Sequence, residues 1–418
     1  MYYFVTLLFV ILSAKASFFD LTNMCWVAID VLLLWVGFEK ARFRKSDIEL
    51  FGKFSLLYIA FCTIRSFFFT HLPVSFYAND ILFLFKYIFT SFLFCAVLKD
   101  KAIHYLTKVI FQLAILSLPL YCLQLIDGDA VYALGKAINF PHAHFNGYVN
   151  FLVFTYVKLH HIRNSGFAWE PGAFGFFLNL GLLLHLVTNN FTFNKQAKCV
   201  ILALITTLST TTYIAFAFVM LLYFRGRGVK PITVMFFVVP IVCVLAVMVP
   251  FMFDKIMLIY NRDIGDMKNI QTLSDWYIQQ GETMPLNRFA SILYLIGLFG
   301  YNLIWGVSNL YNETVPLTKH LNLSNGIFVF MAQFGSIGLC FLMYRCYQFF
   351  KKHIRSIELS IYSLMVILIC GFGECIFVTS IILCFLFLYH YSLPWFAASS
   401  EMVFDTGRLK KNNMVIAE

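Results

Sequence analysis

Residues 198–230 read KCVILALITTLSTTTYIAFAFVMLLYFRGRGVK. Read as one helix, the apolar part crosses a bilayer once. Read as two short helices meeting at TTLSTTT (206–212), it returns to the side it came from. The choice fixes the side of every later segment, and positive charge decides it, because cytoplasmic loops are rich in Lys and Arg. The loop EKARFRKSDIELFGK (39–53) carries Lys40, Arg42, Arg44, Lys45 and Lys53 and is expected in the cytoplasm, with KDK (99–101), RGRGVK (225–230), KKHIR (351–355) and RLKK (408–411). If 171–189 runs inward and 198–224 is one helix, RGRGVK emerges outside. A break at 206–212, where hydroxyls can satisfy an opened backbone, puts it back inside. The competing reading is one helix whose Ser and Thr bond their own backbone.

The whole composition points to lipid. Of 418 residues, 61% are hydrophobic and 12% charged, against roughly 25% charged in a soluble domain. Mean hydropathy is +0.79. The expected fold is all-α: one polytopic membrane bundle over 1–418, with about 12 spans of some 20 apolar residues each and both termini cytoplasmic. The spans are expected near 2–18, 22–38, 53–71, 78–98, 104–126, 171–189, 198–224 (as two arms), 231–250, 324–347, 358–373 and 376–393. Segments 127–170 and 251–323 are then outer loops, and YVNFLVFTYV (148–157) lies along the outer interface. Ala14-Lys15-Ala16 has the shape of a signal-cleavage site, but MYYF lacks a positive start, so the first span is read as retained. Of the 11 cysteines, Cys62, Cys95, Cys243 and Cys384 sit in apolar runs and read as small buried hydrophobes. No P-loop, dinucleotide fingerprint or HExxH motif is present. The net charge of +10 sits mostly in the basic loops, where anionic headgroups attract it, so no nucleic-acid partner is expected.

RNSGFAWEPGAFGFF (163–177) places Arg163 and Glu170 beside a long apolar run. Pro171 suits a first helical position, and the helix dipole favours an anion at Glu170. One reading makes Glu170 a helix cap and Arg163 its interface partner. The other gives both a chemical role.

This block resembles the signature of O-antigen and exopolysaccharide repeat-unit polymerases (the Wzy type), which are related to O-antigen ligases. LSTTTYIAFAF (208–218) is similar to that family's Ser/Thr-rich break, NRFASILYLIGLFGYNLIWGVSN (287–309) to its outer arginine segment, and SNGIFVFMAQFGSIG (324–338) to its Asn-Gly start of a late span. The likeness covers about 160–350 in the family's order; residues 1–125 match only as generic spans. The paired R-x10-G motif of some members is absent: Arg163 has no matching Gly, and Arg288 meets Gly300 one residue too late.

The resemblance implies a membrane glycosyltransferase in the bacterial inner membrane. Its substrate is an oligosaccharide on undecaprenyl pyrophosphate, polymerised into O-antigen, capsule or exopolysaccharide at the periplasmic face, with a flippase and a chain-length regulator as protein partners. Such chemistry needs cations for the pyrophosphate, a base for the accepting hydroxyl, and an apolar slot for the lipid. Arginine binds phosphate oxygens in pairs and stays charged, so Arg163, Arg288 and Arg262 are the outer candidates. Glu170 or His320 is the candidate base; His320 also reads as an exposed loop histidine. Asn325 reads as a sugar-binding amide or a helix cap. Arg65 and Lys86 lie within spans, where charge is functional or paired by default; each is read as snorkelling or as a basic lining below the pyrophosphate. Asp80 lies six residues from Lys86, too far for a good helical pair. Glu374, in CGFGECIF, is read as marking an outer turn. No metal and no cofactor are expected.

Two rival functions remain. A ligase, passing glycan to lipid A core, is kept by His320, since ligases carry a histidine in a similar place. A flippase for the same lipid is expected to show inverted repeats or broken, charged helices near the midplane.

Overall fold

The computed structural model describes residues 1–16, 23–138, 147–230, 261, 265, 268–280 and 283–393. The expected span 231–250, Arg262, Cys243 and the RLKK tail lie outside the described residues. Helices dominate. Three helical runs are long and apolar enough to cross a membrane: Val74–Ile126, Pro171–Thr188 and Gly326–Ile354. The first is folded in two at Lys99, where φ is 50°.

Helix α1 (Tyr2–Ser13) is shorter than the expected 2–18 and ends before Lys15, whose φ is 51°. Helix α2 (Asn23–Glu39) turns Val27, Val31, Trp35 and Phe38 outward, with Phe38 70% exposed. An apolar stripe at helical spacing with no protein over it suits lipid contact. Helix α3 (Lys45–Ile64) starts inside the expected basic loop and runs into a π-helical stretch, Arg65–Thr70. Helices α4 (Val74–Phe83) and α5 (Phe89–Leu98) are joined by a second π-helical stretch, and α6 (Ala102–Ile126) follows.

The expected gathering of basic segments is present. Asp47 lies 3.5 Å from Lys99, Arg42 donates to the Tyr2 hydroxyl at 3.1 Å, and Lys352 donates to the Tyr389 carbonyl at 2.7 Å. Arg225 forks onto Glu358 with two bonds of 2.8 Å. These contacts put 39–53, 99–101, 225–230 and 351–355 at one end of the bundle. Tyr148, from the long segment after α6, donates to the Ala16 carbonyl at 2.7 Å, at the other end of α1.

Beyond α6, helix α7 (Gly128–Ile138) covers an antiparallel hairpin of β1 (Tyr148–Asn150) and β2 (Thr155–Val157). The apolar run 148–157 is thus a hairpin with a core of its own: Val149, Phe154 and Tyr156 are buried beneath Val131 of α7. Helix α8 (Pro171–Thr188) is the axle of the bundle, buried from Pro171 to Val187.

The break at 206–212 exists. Helix α9 (Lys195–Ile205) ends, Leu208 takes φ 47°, and α10 (Thr210–Gly226) begins. The arms form a hairpin, because Phe193 before α9 stacks on Tyr223 near the end of α10, with ring centroids 4.6 Å apart. Eleven residues in α9 reach only about 16 Å, roughly half a bilayer core. The hairpin therefore returns the chain to the end where RGRGVK joins the other basic segments.

Helix α11 (Ile270–Gln279), strand β3 (Met284–Leu286), α12 (Arg288–Phe299) and α13 (Asn302–Trp305) lead to β4 (Leu321–Leu323), which pairs in parallel with β3. Helix α14 (Gly326–Ile354) is broken at Gly335, where φ is 75° and ψ is 170°. Its backbone there presses against Gly306, leaving no room for a side chain at either position. Helices α15 (Ile357–Gly373), α16 (Ser380–Leu383) and α17 (Phe385–Tyr391) complete the described fold.

Candidate functional site

Opposite the basic end, the start of α8 meets the starts of α10, α12 and α14 around the end of α15. Gly172 of α8 abuts the Glu374 carboxylate, Thr211 of α10 abuts Gly373, and Gly326 of α14 abuts the Glu374 carbonyl. Arg288, the first residue of α12, donates from Nε to the Gly373 carbonyl at 3.2 Å, and its Nη2 stands 3.8 Å from the Glu374 carboxylate. Helix starts carry unpaired N–H groups and a positive dipole end. Several of them in one place make a region suited to negative charge.

The stretch RNSG is pinned to the break between α9 and α10. Arg163 donates from Nε to the Thr207 carbonyl at 3.1 Å. Asn164 donates its backbone N–H to the Thr206 carbonyl at 3.0 Å and its amide to the Thr206 hydroxyl at 2.9 Å. The opened helix is thus satisfied by the outer segment as well as by its own hydroxyls. Burial lowers the Arg163 pKa, opposed by the nearby Glu170 and Glu374 charges.

Glu170 holds the N-cap position with Pro171 next, as expected, but its side chain makes no capping bond. It accepts instead from Trp169 Nε1 at 2.9 Å, near enough to Glu374 for each carboxyl's charge to bear on the other. The simple cap reading of Glu170 is therefore corrected. Glu374 is 5% exposed. Burial pushes its carboxyl well above the usual carboxylate range, and the Glu170 carboxyl pushes it further, against the pull of Arg288 and Arg163. Glu374 was visible in the sequence only as a turn; its partners lie in four distant segments, so no local motif announces it.

Asn325 is the N-cap of α14, accepting from the Phe328 N–H at 3.1 Å. The cap reading holds, and its Nδ2 is buried beside this region with no hydrogen-bond partner among the described residues. His320 ends a short 3-10 turn before β4. The strand separates it from Asn325. His160 is a nearer histidine: its carbonyl accepts from the Arg163 N–H at 2.8 Å. Burial lowers its pKa, and so does the Arg163 charge.

Arg65 is neither snorkelling nor part of a lining. It is fully buried, ion-paired to Asp80, and donates to the Gln333 carbonyl freed by the break in α14. Asp80 also accepts from the Asn309 N–H at 2.7 Å and the Ser308 hydroxyl at 3.2 Å. Positions 65 and 80 face each other because α3 and α4 are antiparallel neighbours. Lys86 does not join the arginines either. Its ammonium lies over Trp26 at 5.6 Å and Tyr87 at 5.1 Å, and Lys15 approaches the same Tyr87 ring at 5.3 Å.

An apolar cleft of about 210 Å³ lies between α3 and the broken α14, lined by Phe54, Tyr58, Phe61, Phe330, Phe334 and Phe341 among others. Phe330 lies four residues into α14 from Gly326, or about 6 Å along the axis. Among the described residues no group of His, Cys, Asp and Glu has the arrangement of a metal site. No family model, curated protein or solved structure matches this chain.

Proposed function

We propose that this protein is a membrane glycosyltransferase that joins lipid-pyrophosphate-linked oligosaccharide units into a surface polysaccharide, in the manner of the repeat-unit polymerases its sequence resembles. One observation carries the reading. Arg163 and Arg288, from segments far apart in the chain, converge on the Glu170–Glu374 carboxyl pair at a cluster of helix starts, and one of those helices, α14, goes on to line an apolar cleft with Phe330 and Phe334.

The parts suit the chemistry. Arg163 and Arg288 would hold the pyrophosphate, whose departure needs charge stabilisation more than a proton. Glu170, the more open carboxylate, would take the proton of the accepting hydroxyl. The hydroxyl oxygen then bonds to the anomeric carbon as the carbon–oxygen bond to pyrophosphate breaks, its electron pair leaving on the pyrophosphate. The Asn325 amide would bind sugar, and the cleft would take the start of the polyprenyl chain. On this reading the basic end faces the cytoplasm, the site faces the periplasm, and a flippase supplies the substrate.

The flippase reading keeps one observation in its favour: α14 is broken, with the charged Arg65–Asp80 pair at the break, as in transporters. Purified protein in liposomes, given lipid-linked repeat units, separates the readings. Glycan lengthening on the lipid supports the polymerase. Movement across the bilayer without new bonds supports the flippase, and transfer only when lipid A core is added supports a ligase.

A further inference from the structure

We propose that Glu374 is the buried half of a two-carboxyl proton pair, holding one proton so that Glu170 alone receives the proton of the accepting hydroxyl. The catalytic part of this proposal rests on the transferase reading; the proton itself does not.

Gly172, two residues after Glu170, has the Glu374 carboxylate packed against it, so the two carboxyls are neighbours, and neighbouring carboxylates do not both ionise readily. The surroundings decide which side keeps the proton. Glu374 is 5% exposed, its carboxyl packed against Gly172 and its carbonyl against Gly326. Arg288 does not grip it as a close fork: Nε is used on the Gly373 carbonyl, and Nη2 stays 3.8 Å away. Glu170 is more open and accepts from Trp169 Nε1 at 2.9 Å.

The charged and titratable groups around Glu374 come from each packed segment. Glu170 and Arg163 precede α8, and Arg288 starts α12. Cys370 and Cys375 flank Glu374 in sequence and sense its charge, and Lys15 acts on Cys375. Tyr213 of α10 acts on Arg163. With one proton retained, the two arginines and two carboxyls carry one net positive charge toward the substrate. During transfer the hydroxyl proton moves to Glu170, and Glu374 keeps its own throughout. Glu374 is therefore a positioning residue, and after product release Glu170 returns its proton to water.

Infrared difference spectra of the purified full-length protein in nanodiscs, without substrate, test the proton directly. Near neutral pH the wild type should show a protonated-carboxyl band that is missing in Glu374→Gln. In Glu170→Gln the band should disappear at lower pH than in the wild type, because the neighbouring negative charge is gone. A band absent from the wild type, or retained in Glu374→Gln, overturns the proposal. Activity gives the second arm. Glu374→Gln mimics the protonated acid and should lengthen glycan at least tenfold faster than Glu374→Ala. Equal loss in both, at equal folded yield, also overturns it. If the wild type itself lengthens no glycan, the transferase reading falls and the infrared arm still decides the proton.

Discussion

Gly172 and Glu374 are in direct backbone-to-carboxylate contact: a methyl group at position 172 would overlap the Glu374 carboxylate oxygen. The first turn of α8 is thus fitted to a side chain two hundred residues later in the sequence. Gly172→Ala should displace Glu374 from Glu170 and Arg288. Overpacking of this kind costs about 1–3 kcal/mol, so the protein should still assemble. We expect a modest fall in thermal midpoint with a loss of chain lengthening out of proportion to it. Full lengthening in Gly172→Ala would show that the carboxyl's position is unimportant.

Arg163→Ala removes one bond to the Thr207 carbonyl, a loss of about 0.5–1.5 kcal/mol. The neighbouring Asn164 contacts still hold the break between α9 and α10. The expected result is normal membrane abundance and cells displaying single repeat units. Arg288→Lys keeps charge without the planar fork and should lower polymerisation strongly. Glycans of wild-type length from both variants would remove the arginines from the site.

Glu374 also sets a pH dependence of stability. Its folded-state pKa is raised, chiefly by burial, so between the unfolded carboxyl pKa and that higher value the folded protein binds more protons than the unfolded one. Stability must then fall as pH rises through this window. Glu374→Gln, which cannot ionise, should flatten the decline and raise the thermal midpoint on its alkaline side. Parallel curves for wild type and variant would contradict the assignment.

The Arg65–Asp80 pair makes a separate prediction, since both side chains are fully buried. Arg65→Met or Asp80→Leu alone leaves an unpaired buried charge and should cost about 3–5 kcal/mol. The double variant removes both charges and should recover much of that loss, though the Gln333 and Asn309 backbone partners are lost. Glycan lengthening should follow folded yield in all three. A double variant that folds like wild type yet lengthens no glycan would give Arg65 the substrate role its sequence position suggested.

The hairpin of α9 and α10 predicts that a single cysteine at position 228, in a cysteine-free background, escapes an impermeant thiol reagent in intact cells, while one at the exposed position 133 is labelled. Labelling at 228 would place the basic end outside.

Most helices were legible because an apolar run of helical length has few other fates, and three of them are long and apolar enough to cross a membrane; the break at 206–209 was legible because unbroken sequence would have parted RGRGVK from the other basic segments. Arg163, Glu170 and Arg288 were legible as polar residues at the starts of apolar runs. Glu374 was not: a lone acid between glycines carries no periodicity, and its meaning comes from segments around 163, 172, 288 and 326 folding onto it. The β1–β2 hairpin was missed because a continuous apolar run of ten residues fits several structures. Arg65 was misread because its partner, Asp80, lies across a turn and on the next helix.

That same pairing bears on how the chain is made. Leaving the translocon singly, α3 would bring a bare arginine into lipid and α4 a bare aspartate, each at about 2.5–3.5 kcal/mol if it reached the helix centre. Only His71, Leu72 and Pro73 separate the two helical stretches, so both charges can meet before either is released. Residues 45–98 are therefore best delivered to the bilayer as one hairpin with Arg65 and Asp80 already paired, and Gln333 arrives later to find its arginine in place.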